Sequence, residues 1–191
     1  MKRLSLAGVA ADQAVSVRVG PYVPLTVDLS SESSGRVLYW MVDPNEGTHA
    51  EIGVHSGSGQ WESFEIRIYS SPMERLDPER REASAEPQRG VPLFRLDHWN
   101  GPYPSAPLNG YTRTQEPLRL ILGQGIARLE MGPAPRVVAR RILTGDRLCF
   151  SFDEDSALSA VEVRELSSEE LHEIEAMAIS LSEGFLRFGS D

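Results

Sequence analysis

The chain has 191 residues, of which 40% are hydrophobic and 25% are charged, and its formal net charge at pH 7 is −9. This length and composition are typical of a globular domain with a sizeable hydrophobic core. No apolar run approaches the roughly 20 residues that a transmembrane helix needs, and the single cysteine, Cys149, excludes an internal disulfide. We therefore predict one cytoplasmic domain over residues 1–191, without a membrane partner.

Arginine dominates the basic residues: Lys2 is the only lysine among 19 basic side chains. Arginine codons are GC-rich and lysine codons are AT-rich, so this bias indicates a GC-rich, bacterial genome. The arginines form no long cluster, and the bias therefore does not by itself indicate a binding site.

Alternation of apolar and polar residues is the main pattern of the first 70 residues, and it predicts strands. Phe64 and Ile66, for example, alternate with Glu65 and Arg67. Clusters of turn-forming residues at 43–47 and 56–59 separate such segments. We predict strands over residues 15–19, 23–29, 36–42, 50–55 and 61–69.

Residues 72–90 contain nine charged residues and three prolines, and their only larger apolar residues are Met73 and Leu76. This composition predicts a solvated loop or linker. A strand over residues 91–99 follows, and residues 100–110 are then too rich in proline and glycine for regular structure.

The remaining residues predict further strands and one helix. The strands cover residues 118–122, 126–131, 136–143, 146–152 and 158–166. Ser167 and Glu170 form a capping-box pattern, after which apolar residues recur at helical spacing until Gly184. The expected fold is therefore mainly β (α+β), an antiparallel β-sandwich or strongly bent sheet of about nine to eleven strands with one C-terminal amphipathic helix packed on it.

Two glycine-rich segments, Gly57–Gly59 and Gly123–Gly125, resemble phosphate-binding loops at first sight. A phosphate loop must lead into a helix, whose N-terminal N–H groups hold the anion. Both segments lead into alternating, strand-like sequence instead, so we predict hairpin turns. His49 and His55 lack the further ligands that a zinc site needs, and we predict no metal site and no cofactor.

Catalytic motifs are absent from the sequence, which contains neither a nucleophile elbow nor a zinc-protease helix. A hydrolase is a remaining possibility if separate strands bring His55, His98 or Cys149 together. We predict no catalytic residues and treat the hydrolase as the second alternative function.

Aromatic residues in and around the irregular segment 100–110 provide the first alternative, a module that binds a sugar or another metabolite. Aromatic rings on a proline-stiffened loop are typical of such sites. The residues expected to bind the ligand are His98, Trp99, Tyr103, Tyr111 and Arg113.

The net charge is concentrated at the C-terminal end of the chain. Residues 151–191 contain eleven acidic residues and two arginines, whereas the charges of the first 150 residues cancel. An acidic hairpin and helix over residues 146–184 would repel nucleic acid and attract a basic protein. The favoured function is therefore a non-catalytic protein-binding domain, of which an immunity protein that neutralises a toxin is the most concrete form. The residues expected to bind the partner are Asp153, Glu154, Asp155, Glu169, Glu170 and Glu173.

Overall fold

A computed structural model describes residues 3–21, 23–30, 35–45, 48–68, 73–76, 86–100, 110–133 and 137–177. Within these ranges it contains fifteen strands and one α-helix, α1, over residues 168–177. The predicted mainly β fold with a C-terminal helix is confirmed.

In chain order the strands are β1 (Leu6–Ala10), β2 (Val15–Arg18), β3 (Leu25–Leu29), β4 (Val37–Asn45), β5 (Thr48–His55), β6 (Trp61–Ile68), β7 (Glu74–Arg75), β8 (Gln88–Arg89), β9 (Val91–Phe94), β10 (Tyr111–Thr114), β11 (Leu118–Gly123), β12 (Ile126–Met131), β13 (Arg140–Thr144), β14 (Leu148–Phe152) and β15 (Leu158–Val163). Four of them, β1, β7, β8 and β10, have no counterpart among the predicted strands. All four are short, and β7 and β8 contain two residues each, which is too few for a pattern of alternation to be recognised.

The strands form two large sheets and a ribbon. The six-stranded sheet has the order β10-β4-β5-β6-β3-β2, and the seven-stranded sheet has the order β7-β11-β12-β15-β14-β13-β8. The ribbon pairs β1 with β9. Antiparallel pairing dominates, but β7, β8 and β10 each join an edge in parallel.

One continuous hydrophobic core contains side chains from both sheets and from the ribbon. Trp61 on β6 meets Phe150 on β14 edge to face, with ring centroids 5.3 Å apart, and Phe94 from the ribbon contacts Phe150 from another side. Trp40 and Trp99 are also buried and form a second edge-to-face pair. All three tryptophans of the chain are thus core residues.

Residues 72–90 differ from the predicted solvated loop where the structure describes them. β7 pairs with β11 at one edge of the seven-stranded sheet, and β8 pairs with β13 at the other edge. The polar and charged side chains of these short strands are exposed, as expected of strands that protect the edges of a sheet. Residues 77–85 lie outside the described residues.

Several other boundaries differ from prediction; β13, for example, begins at Arg140 and not at residue 136, and β15 ends at Val163 and not at residue 166. β4 continues to Asn45, through the first residues of the predicted turn at 43–47. β9 ends at Phe94, and Asp97–Trp99 form a 3₁₀ turn that buries the Trp99 ring. The strand predicted over residues 91–99 therefore ends five residues early, and Trp99 reaches the core from a 3₁₀ turn.

The predicted hairpin turns are present. Residues 56–59 connect β5 to β6, and Gly59 has a φ of 75° where a side chain would collide with the Phe94 carbonyl. Gln124 and Gly125 connect β11 to β12 with φ angles of 52° and 76°, the positive pair that favours a tight hairpin. Neither segment leads into a helix.

The capping box at the start of α1 is also present. The Glu170 N–H donates to Ser167 Oγ at 3.1 Å, and the Ser167 N–H donates to Glu170 Oε2 at 2.7 Å. Ile174 is fully buried in the core and Leu171 packs against it, so this helix covers the core with its apolar side, as predicted. Residues 178–184 of the predicted acidic region lie outside the described residues.

Candidate functional site

The acidic residues predicted to bind a partner do not form one surface. Glu154 and Asp155 follow the C-terminal end of β14, whereas Glu169 and Glu173 lie on α1, beyond the C-terminal end of β15. Because β14 and β15 are antiparallel, the two groups lie at opposite ends of the hairpin, on the order of 20 Å apart for six residues per strand. All four side chains are exposed.

The other two predicted acids are held by contacts within the protein. Asp153 is buried, its Oδ2 lies 2.6 Å from Arg3 Nη2, and its Oδ1 accepts hydrogen bonds from the N–H groups of Asp155 and Ala157. Glu170 belongs to the capping box. Both carboxylates therefore have partners within the fold and stabilise it.

The residues of the predicted aromatic ligand site are likewise split between the core and the surface. Trp99 is fully buried, and its Nε1 donates to the Tyr39 carbonyl at 3.1 Å. The His98 ring meets the Trp40 ring edge to face. Tyr111 and Arg113 are exposed on β10, and Tyr103 lies outside the described residues.

The residues of the hydrolase alternative do not converge in the structure. His55 Nδ1 lies 3.0 Å from Ser58 Oγ but also accepts the Ser58 N–H, which is the geometry of a turn cap. Cys149 lies fully buried on the seven-stranded sheet, and burial raises the pKa of its thiol above the ordinary value, more than the nearby Arg141 charge lowers it. A protonated, inaccessible thiol is a poor nucleophile.

The structure brings together a different set of residues, on the outer face of the six-stranded sheet. Alternation along the strands sends Leu38 and Ile52 into the core and their neighbours outward. One row of outward residues crosses five strands in register, in the order Tyr111, Tyr39, Gly53, Ser63 and Asp28. We call this outer surface of the six-stranded sheet the open face.

Two tyrosines at one end of this row are unusually exposed. Among the described residues, three large hydrophobic side chains are exposed, and two of them are Tyr39 at 39% and Tyr111 at 65%. The two residues are register partners on β4 and β10, so their backbones are about 4.8 Å apart. Exposed aromatic side chains that lie side by side are typical of binding surfaces.

A groove lies next to the tyrosine pair, in the middle of the row. Gly53 has no side chain, and Ser63 Oγ and Val37 Cγ1 occupy the space over its Cα. The groove has a volume of about 290 Å³ and is lined by Asp28, Leu29, Val37, Tyr39, Glu62, Ser63 and Glu65. It thus has an aromatic and aliphatic wall on β4 and carboxylates on β3 and β6.

The carboxylates of the groove differ in their partners. Asp28 Oδ2 lies 2.6 Å from Arg18 Nη2, and Glu65 Oε2 lies 2.8 Å from Arg67 Nε. Glu62 Oε1 is buried and has no hydrogen-bond partner within the described part of the chain. A buried carboxylate oxygen without a donor is costly unless a cation or donor from elsewhere satisfies it.

Comparison with known proteins assigns no function to these features. No protein-family model matches the chain, and no curated protein matches it. Within the described ranges, no three histidine, cysteine or acidic side chains are placed to hold a metal ion. Nor does any helix of those ranges have both the length and the apolar character to cross a membrane.

The outer face of the seven-stranded sheet has a different electrostatic character. Glu162, one of the C-terminal acids, lies there with Arg128 Nη1 at 3.4 Å, Arg141 Nη2 at 3.2 Å and Arg164 Nε at 2.6 Å. Arg128 lies on β12, Arg141 lies on β13, and Arg164 directly follows β15. Of these partners, only Arg164 lies in the same segment of sequence as Glu162, and the sequence does not reveal the contacts with Arg128 and Arg141.

Sequence reasoning missed the open face because its residues come from five strands. The only local signal is the alternation of Tyr39 with Leu38 and Trp40, which places the tyrosine on the opposite face from the core. Tyrosine is compatible with either environment, so this alternation does not by itself predict an exposed ring. The groove has no local signal, because its lining residues lie on β3, β4 and β6.

Proposed function

We propose that this protein binds a basic partner protein, without catalysis, through the open face of its six-stranded sheet. The observation that carries the proposal is the register of the exposed Tyr39 and Tyr111 beside the groove carboxylates. Tyrosine contributes large contact areas at protein interfaces, and carboxylates steer and orient a basic partner.

The charge of the whole chain supports a basic protein as the partner. A net charge of −9 accelerates encounter with cationic surfaces and opposes contact with nucleic acid. The proposal extends to a bacterial, cytoplasmic setting, for which the arginine bias and the single cysteine are the support. An immunity protein that neutralises a basic toxin is its most concrete form.

The experiment is affinity capture from the source organism with two charge-matched variants. Glu62→Lys reverses a charge in the groove, and Glu154→Lys reverses one at the β14–β15 turn; neither side chain forms an ion pair among the described residues. We expect wild type and Glu154→Lys to retain one basic protein at low salt, and Glu62→Lys or Tyr39→Ala to lose it.

Other outcomes would contradict the proposal in distinguishable ways. Loss of the captured protein with Glu154→Lys alone would place the binding surface at the C-terminal acids. Retention by every variant, with unchanged salt dependence, would exclude the open face as the site. Thermal denaturation of each variant checks that the fold is intact before the capture is interpreted.

A further inference from the structure

We infer that two copies of this chain associate through their β10 strands, which pair antiparallel and join the two six-stranded sheets into one. The two-fold axis passes between the Thr112 residues, so that Tyr111 of each copy lies opposite Arg113 of the other. The second copy thereby contributes an arginine to the tyrosine pair of the open face. The association goes beyond the proposed function, because it needs no other partner protein.

The outer edge of β10 offers backbone groups for a further strand. β10 lies at the end of the six-stranded sheet, and among the described strands it pairs only with β4. The Tyr39 N–H donates to the Gly110 carbonyl at 3.0 Å, so the backbone groups of Gly110 and Thr112 point toward β4 and those of Tyr111 and Arg113 point away from it. Within the described residues these outward groups have no hydrogen-bond partner.

Other edges of the two sheets are shorter or approached by a turn. The seven-stranded sheet ends in β7 and β8, which have two residues each. At the β2 edge of the six-stranded sheet, a Cβ on Gly145 would lie 3.4 Å from Val15 N. β10 has four residues, and no described segment hydrogen-bonds to its outer edge. An edge of this kind is a template for pairing with another chain.

The sequence of β10 is complementary to itself in the antiparallel direction. Because the outward groups belong to Tyr111 and Arg113, pairing about Thr112 creates two hydrogen-bonded pairs, each of which joins a tyrosine of one copy to an arginine of the other. Side chains at such directly opposite positions share a face and have Cβ atoms about 4.5–5.5 Å apart. Each guanidinium can therefore stack on the tyrosine ring of the other copy.

Both side chains are accessible for this contact. Tyr111 is 65% exposed, and the side chain of Arg113 is 62% exposed. Arg113 Nη1 lies 3.9 Å from Asp43 Oδ2, and an exposed ion pair of this length holds the guanidinium only weakly. β10 itself contains no acidic residue. The repulsion between two chains of net charge −9 therefore originates away from the axis, where salt screens it.

Sedimentation equilibrium of the full chain in about 0.3 M NaCl tests the association. We expect wild type to change from monomer to dimer as its concentration rises through the micromolar range. Tyr111→Lys places two cations opposite each other in both pairs, and Arg113→Glu removes the cation from both pairs. We expect each variant alone to dimerise at least about tenfold more weakly than wild type.

An equimolar mixture of these two variants is the decisive arm of the experiment. In a mixed dimer one pair joins a lysine to a glutamate, and the other pair keeps the original tyrosine and arginine. We expect the mixture to form this heterodimer at concentrations at which each variant alone is monomeric. Only the register that places Tyr111 opposite Arg113 predicts this rescue.

A cysteine at the two-fold axis tests the register in a second way. The Thr112 residues of the two copies would form a non-hydrogen-bonded pair with Cα atoms about 4.5 Å apart, which a disulfide can span. With oxidised glutathione as the oxidant, we expect Thr112→Cys to form a covalent dimer at least about tenfold faster than Val137→Cys, which changes another partly accessible position. Buried Cys149 is common to both variants.

Three results would overturn the inference. A wild-type chain that stays monomeric throughout the concentration range would show that β10 does not pair with a second copy. A dimer that survives both single variants, or a mixture that fails to form the heterodimer although thermal denaturation shows both variants to be folded, would show that the copies meet elsewhere. The capture experiment tests the proposed function separately, since neither Glu62 nor Glu154 lies on β10.

Discussion

Glu51 and Glu65 lie directly opposite each other on β5 and β6, and both point to the open face. Like charges at directly opposed positions of neighbouring strands are destabilising. Arg67 offsets this repulsion, because its guanidinium lies 3.1 Å from Glu51 Oε2 and 2.8 Å from Glu65 Oε2. His49 Nε2 approaches Glu51 from the other side, 2.8 Å from Oε1.

We expect Arg67→Gln to lower the free energy of unfolding by about 1–2 kcal/mol at low salt, because Glu51 is only 7% exposed and would face Glu65 without its cation. Urea denaturation in 50 mM and 1 M NaCl would measure the loss, which should shrink at high salt. Arg18→Gln, which breaks an exposed pair with Asp28, is the control and should cost well under 1 kcal/mol. Equal losses in both variants would contradict the bridging role of Arg67.

Phe150 joins the two sheets through its edge-to-face contacts with Trp61 and Phe94. Phe150→Ala would leave a cavity between the sheets, and we expect it to cost about 3–5 kcal/mol. Val137→Ala removes an exposed side chain and should leave the midpoint of denaturation unchanged. A loss below 1 kcal/mol for Phe150→Ala would mean that the sheets do not depend on this contact.

The capping box contributes to the stability of α1. Ser167→Ala removes the acceptor of the Glu170 N–H, and we expect a loss of about 1 kcal/mol in the free energy of unfolding. Ser168→Ala changes the neighbouring serine without affecting the cap and should be nearly neutral. Chemical denaturation of the pair measures the difference, and identical stabilities would show that α1 does not need the cap.

Glu116 makes the stability of the fold depend on pH. Burial raises the pKa of its carboxyl above the ordinary value, more than the charge of Arg3, whose Nε lies 3.5 Å from Oε1, lowers it. The folded protein therefore keeps this proton to higher pH than the unfolded chain, and its free energy of unfolding falls as pH rises between those two pKa values.

The variant Glu116→Gln has no such proton to lose. We expect its stability relative to wild type to increase as pH rises from 4 to 7, measured by urea denaturation of both proteins at each pH. A relative stability that instead decreases over this range would show that the Arg3 ion pair outweighs the effect of burial.

Cys149 is buried, and its raised thiol pKa keeps it protonated at neutral pH. We expect a thiol-specific reagent to label the native protein only through unfolding, so that the labelling rate rises with urea in step with the unfolded population. Rapid stoichiometric labelling in native buffer would contradict this expectation and restore Cys149 as a candidate nucleophile.

Local features of the sequence predicted local structure correctly. The capping box depends on residues three apart, and the hairpin turns depend on glycines within four positions. Alternation along β5, β6 and β12 depends on neighbours two apart. Each of these patterns is a physical constraint within one segment, and the sequence alone therefore determines it.

The charged surfaces could not be predicted in this way. Asp153 pairs with Arg3, 150 residues earlier in the chain, and Glu162 contacts Arg128 and Arg141 from β12 and β13. A count of acids along residues 151–191 therefore overestimates how many of them remain unpaired at one surface. β14 and β15 also separate Glu154 from Glu169, because the two strands run in opposite directions and their C-terminal ends therefore lie at opposite ends of the hairpin.

The sequence by itself determined that this protein is mainly β, where most of its strands and its one described helix lie, and that it carries a net charge of −9. The tertiary structure alone decided which side chains share a surface. Strand order and register placed Tyr111, Tyr39, Gly53, Ser63 and Asp28 in one row, because hydrogen bonds between strands join residues far apart in the chain. The groove is lined by residues of β3, β4 and β6, which only this strand order brings together.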